Sequence, residues 1–138
     1  MSTGMTTFDF FDKLLKKVVD NLTDGKIIGE GALDLLLHIR IPQGYDIEEK
    51  IVKECKSINK SYDKAFNILV ESLEECNNAK LIYEYTSEIK RFQKNNGYRK
   101  RLREAILKTY DVEHMSAFVI HFDNEYADEL IDYLVNCL

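Results

Sequence analysis

Three histidines, three cysteines and one dense run of cations are the residues of this chain with chemistry to offer. His114 and His121 stand seven apart, a spacing that places two imidazoles on one helix face, with Asp111 and Glu113 close by in sequence. Zinc sites favour histidines four apart or Cys/His clusters, and neither pattern occurs, so no metal ligand is predicted. Cys55, Cys76 and Cys137 are odd in number and lack CxxC spacing. They are expected to be small apolar fillers in a reducing compartment, not a disulfide framework. Gly29-x-Gly31 lacks the third glycine of a dinucleotide fingerprint and the Lys-Ser/Thr of a P-loop. It is expected to be a helix start that needs a small residue. No Ser-His-Asp order is legible, so no catalytic residue is named and no cofactor is expected.

The stretch NNGYRKRLREAILK, residues 95–108, raises a different chemistry, phosphate binding. Residues 90–108 hold eight Lys and Arg against the single acid Glu104, in a chain whose net charge is −5. The candidate phosphate contacts are Lys94, Arg99, Arg101 and Arg103. At 100° per residue, however, the cations do not share a face. Tyr98, Leu102, Ala105, Ile106 and Thr109 form the stripe that should be buried. Arg99 and Arg103 flank it on one side, and Arg101 and Lys108 on the other. A groove-reading helix concentrates its cations where phosphates meet it, and aromatic residues interleaved for base stacking are missing here. The spread fits long stems covering apolar surface while their charged ends stay wet.

The last helix separates its charges better. Residues 109–138 carry seven acids and no Lys or Arg. Glu125, Asp128, Glu129 and Asp132 fall within about 100° of one another, opposite a stripe of Tyr126, Leu130, Tyr133, Leu134 and Cys137. These four acids and Tyr126 are the candidate partner-binding set. Five of the eight tyrosines, Tyr45, Tyr83, Tyr98, Tyr110 and Tyr126, sit at or near element ends. Tyrosine there offers rigid amphipathic contact area to a partner.

The elements that must carry these groups are mostly helical by period. Phe8, Phe11, Leu15, Val18, Val19 and Leu22 recur at steps of three and four, with Thr6 or Thr7 as cap and Gly25 as terminator. Phe10 and Leu14 widen the stripe, which predicts burial on more than one side. Asp46 with Glu49 opens a helix carrying Ile47, Ile51, Cys55 and Ile58. Tyr62, Phe66, Leu69, Leu73 and Cys76 make the cleanest stripe. The pattern restarts at Leu81 and continues through Ile82, Tyr85, Ile89 and Phe92, which predicts a break at Asn77-Asn78 between two antiparallel helices. Asn95-Asn96-Gly97 marks the next turn, and Asp111 the cap of the segment after the basic helix. Asp123 or Asn124 is expected to cap the last helix.

The fold predicted is a single all-α domain over residues 1–138, an antiparallel bundle of six to seven helices, with residues 1–5 expected to be disordered. The alternative is an α+β domain, because 35–41 alternates like a strand and 117–122 is β-branched and aromatic. No stretch reaches the roughly 18 apolar residues of a membrane span, and the start lacks a signal-peptide pattern, so a soluble intracellular protein is expected. The function predicted is a non-enzymatic protein-interaction module: an adaptor, regulatory subunit or inhibitor. Its partner is another protein or a second copy of itself, with a small nucleic-acid-binding regulator as the alternative.

Overall fold

The computed structural model describes residues 4–39 and 46–137, and every element among them is helical. The helices form two compact units, Met1–Cys76 and Asn77–Leu138.

In the first unit α1 (Thr7–Thr23) begins at a complete capping box: the Thr6 hydroxyl accepts from the Asp9 N–H, and the Asp9 carboxylate accepts from the Thr6 N–H. It buries Phe11, Leu15, Val18, Val19 and Leu22. That stripe packs against α2 (Glu30–His38), α3 (Ile47–Ser57) and α4 (Tyr62–Cys76). Phe10 is 45% exposed and Leu14 half-buried, so α1 is buried along one side only. The apolar residues outside its main stripe widened the sequence pattern without a neighbour to receive them. Gly25, at φ +79°, supplies the left-handed residue after α1. The connection then runs to Ile28, whose buried N–H donates to the Ser72 hydroxyl on α4 at 2.9 Å. The same hydroxyl donates to the Ile68 carbonyl at 2.8 Å, so one serine side chain holds this connection to α4. Gly29 is the residue preceding α2, but a Cβ placed on Gly29 or Gly31 meets nothing, so space does not demand glycine at either. Asp46 caps α3 through the Glu49 N–H.

The 35–41 strand of the α+β alternative is overturned: Leu35 to His38 belong to α2, Ile39 follows it, and Arg40 and Ile41 lie outside the described residues, as do Pro42, Gly44 and Tyr45. The 117–122 strand is overturned too, because the capped, continuous helix α8 takes those residues. Nine residues of α2 bury Leu33, Leu36 and Leu37, a helical spacing that the alternating pattern concealed.

The second unit starts at the predicted break. Asn77 adopts φ +49°, and Asn78 caps α5 (Ala79–Glu88) by accepting from the Leu81 N–H at 3.1 Å. The apolar rhythm through Phe92 suggested one helix, but the chain divides at Ile89, which is extended (φ −107°, ψ 95°), into α5 and α6 (Lys90–Lys94). The Gln93 side-chain amide donates to the Thr86 carbonyl at 2.6 Å, satisfying a group that the interrupted helix leaves without its usual donor. Asn95 caps α7 (Asn96–Leu107) and Asp111 caps α8 (Val112–Phe122). A 3₁₀ turn (Asn124–Tyr126) then leads into α9 (Ala127–Cys137). The division at Ile89 is one reason the described helices outnumber the six or seven expected. α5, α7 and α8 enclose Ile82, Tyr85, Leu102, Ile106 and Phe118, all at most 1% exposed. No described helix is long and apolar enough to cross a membrane.

Candidate functional site

The basic helix folds as its wheel predicts. Tyr98, Leu102, Ala105 and Ile106 are buried, and Tyr98 packs edge-on to Phe92 with ring centroids 5.6 Å apart. The flanking pair Arg99 and Arg103 has a specific destination, Asp123. This aspartate terminates α8, and its side chain is 2% exposed. Arg103 Nη1 donates to Asp123 Oδ2, and Arg99 Nε lies 3.9 Å from Oδ1. The remaining Arg99 donors go to the Gln93 carbonyl and the Asn96 side chain. The Arg103 guanidinium also lies over the Tyr126 ring at 3.5 Å, a cation–π contact. Burial opposes the charge of Arg103, but the hydrogen bond and charge of Asp123, together with Tyr126, raise its pKa further above the usual arginine range.

Two of the four candidate phosphate ligands, Arg99 and Arg103, are therefore engaged inside the fold. Lys94 is exposed at the end of α6 and Arg101 half-buried on the other flank of α7. The four are not convergent on one face.

Glu125 in the 3₁₀ turn, and Asp128, Glu129 and Asp132 on α9, are all exposed. Asp128 and Glu129 occupy the first turn of α9, where the positive helix end favours acids. Leu130 is buried, and Tyr126, Tyr133 and Leu134 are half-buried, as the opposite stripe requires. The fifth candidate, Tyr126, is the ring beneath Arg103.

Two features beside the acids were not foreseen. On one flank Ile131 and Val135, four apart, are 56% and 64% exposed. On the other a cleft of about 190 Å³ opens between α7, α8 and α9. Buried Val119 and Leu130 lie deepest, with half-buried Leu107, Tyr126 and Tyr133 around them. Arg103, hydrogen-bonded to Asp123, forms part of the wall, and Glu129 in the lining is exposed. The exposed β-branched pair was legible in principle, since Ile131 and Val135 fall outside the core stripe. The cleft joins residues 107, 119 and 130, for which no local spacing gives a signal.

His114 and His121 both lie against Tyr83 of α5, a tyrosine expected near an element end, with ring centroids 6.2 and 6.1 Å away. Its hydroxyl is 2.8 Å from His121 Nδ1. His114 Nδ1 is 2.8 Å from Asp111 Oδ2, while Asp111 Oδ1 accepts the His114 N–H as helix cap. That backbone hydrogen bond first, and the imidazole second, hold the Asp111 carboxyl below its usual pKa. No group of three or more metal-ligating side chains exists among the described residues. Cys55 is enclosed, and burial, then Glu54, pushes its thiol pKa up, away from the reactive thiolate. Cys76 is half-buried, its thiol donating to the Leu73 carbonyl. Comparison with protein-family models, curated proteins and solved structures finds no match for this chain.

Proposed function

We propose that the protein is a non-enzymatic interaction module that docks a basic partner protein on α9, in the manner of an adaptor, regulatory subunit or inhibitor. The observation that carries this is the composition of one exposed helix. Asp128, Glu129 and Asp132 face solvent with no Lys or Arg from residue 109 onward to neutralise them, and solvent-facing Ile131 and Val135 stand beside them. Acids alone describe any solvated helix. Acids adjoining unpartnered β-branched residues describe a surface that can both steer a cationic partner and dry against it. An amphipathic helix with Lys or Arg flanking an apolar stripe has the complementary chemistry.

The test is titration of a fluorescent, helix-forming Leu/Lys peptide, beside a Leu/Glu peptide of the same pattern, against the protein and its Asp128→Asn/Glu129→Gln/Asp132→Asn variant. Exposed ion pairs contribute about 0–1 kcal/mol each, so the triple variant should bind the Leu/Lys peptide roughly tenfold more weakly, and high salt should narrow the gap. Equal binding of both peptides, or equal binding by protein and variant, would remove α9 as the docking surface. Concentration-dependent sedimentation of the chain alone, abolished in the variant, would assign the acidic face to a second copy instead. Binding to phosphate backbones is not proposed, because Arg99 and Arg103 already serve Asp123.

A further inference from the structure

Both flanks of the α9 acids are apolar, but they differ in shape. Ile131 and Val135 project from the helix, whereas Leu107, Val119 and Leu130 line a recess. An apolar cavity of about 150 Å³ is enough to hold a benzene ring. A recess of about 190 Å³ therefore takes one bulky aliphatic or aromatic side chain.

Resting on the reading of α9 as a docking surface, we infer that the cleft between α7, α8 and α9 is the anchor pocket of that surface. It receives a single large apolar side chain from a basic helical segment of the partner. The charges at the mouth select the flanking residues. Arg103 is the one cation in the lining, and it shares the single carboxylate of Asp123 with Arg99, so one positive charge remains there against the three acids of α9. Glu129 has no such partner within the lining, and Asp128 and Asp132 lie on the same helix. The field over the opening is thus negative, which favours Lys or Arg one helical turn from the inserted residue and disfavours an acidic segment. Tyr126 and Tyr133 give the walls flat, rigid area of the kind found around interface anchors. The Arg103–Asp123 pair would hold the Tyr126 wall in place before the partner arrives, which lowers the ordering cost of binding.

The chain contains no tryptophan, so a tryptophan in the probe reports its own surroundings without background. The probe is the Leu/Lys peptide with one Trp at the centre of its apolar face. It is compared with a second peptide carrying the Trp among the lysines. Each is titrated against the protein, a cleft-filling Leu107→Phe variant and an Ile131→Ser/Val135→Ser variant, all shown to be folded by circular dichroism. Binding is followed separately by sedimentation. The expected result is a saturable blue shift of the apolar-face Trp, with affinity at least tenfold weaker in Leu107→Phe, and with a smaller loss and the blue shift retained in Ile131→Ser/Val135→Ser, which trims the docking surface but leaves the cleft intact. Binding without a blue shift, or binding lost in the Ile131/Val135 variant but intact in Leu107→Phe, would overturn the cleft and leave α9 as the docking surface. No sedimentation of either peptide with the protein at low salt would overturn both. A Leu107→Phe variant that does not fold is replaced by Leu107→Ala, for which the expected change is a weaker blue shift from an enlarged recess.

Discussion

Removing the Asp123 carboxylate should loosen the second unit more than any other single change among its polar residues. Its side chain is 2% exposed, and the two guanidiniums facing it are 12% (Arg103) and 18% (Arg99) exposed. Asp123→Ala leaves two cations in a largely dehydrated corner with one carboxylate fewer. Breaking a buried ion pair by deleting one partner costs about 3–5 kcal/mol. Some water reaches both arginines, and Arg99 retains the Gln93 carbonyl and the Asn96 side chain, so the low end, about 3 kcal/mol, applies. Because the chain forms two compact units, the assay must resolve them, and residue-level amide hydrogen exchange does so. With tenfold per 1.4 kcal/mol, the slowest amides of α7, such as Leu102 and Ile106, should exchange roughly 150-fold faster. Amides of α4 such as Leu69 should be unchanged. Asp123→Asn should fall between, since it keeps an acceptor and loses the charge. The double variant Arg103→Met/Asp123→Leu should recover only part of the loss, because it removes the desolvation cost of the Arg103 pair but leaves Arg99 without its carboxylate. Less than threefold change in Asp123→Ala would refute the reasoning and show that the arginines are adequately solvated without Asp123.

The remaining expectations test individual elements. Ser72→Ala strands the Ile28 N–H, which is buried on the first unit, and should cost about 1–3 kcal/mol by denaturant melts or exchange of α1 and α4 amides; a loss below about 0.5 kcal/mol would mean the connection relaxes to another acceptor. Tyr110 holds φ +58° with its ring 74% exposed, so Tyr110→Gly should relieve about 1 kcal/mol of left-handed strain and raise the melting temperature, with a decrease arguing that the ring makes contacts worth more than the strain. Asp111→Ala removes the α8 cap and should cost about 1 kcal/mol at neutral pH. The folded pKa of Asp111 is depressed, so its contribution is complete above the ordinary carboxylate range and disappears as pH falls through the folded value. The stability gap between protein and variant should therefore close in acid, and a gap constant from neutral to strongly acidic pH would contradict it.

Local information alone determined the helices and most of their ends. The cap at Thr6, the left-handed Gly25, the Asn77-Asn78 break and the Asp111 cap are interactions within a few residues, so residue type and spacing suffice to place them. The buried stripe of α7 and the exposed acids of α9 follow equally from the 3.6-residue period. Where local signals conflicted, tertiary packing chose. Residues 35–38 alternate like a strand but become α2, whose buried leucines follow helical spacing, and Ile89 interrupts a continuous apolar rhythm where Gln93 satisfies the freed carbonyl.

The candidate site divides along the same line. Its acids were legible because Asp128, Glu129 and Asp132 share α9 and Glu125 lies in the turn just before it. The meaning of Arg99 and Arg103 was not, because Asp123 is 24 and 20 positions away, reads locally as a helix cap, and is recognised as their counter-ion only when α7 meets the end of α8. The cleft is further still from any sequence signal. It is a space lined by three helices, and its residues 107, 119 and 130 are related by packing alone. Periodicity says which face of a helix turns inward, but it carries no information on which neighbour that face meets or how well the two fill the space between them.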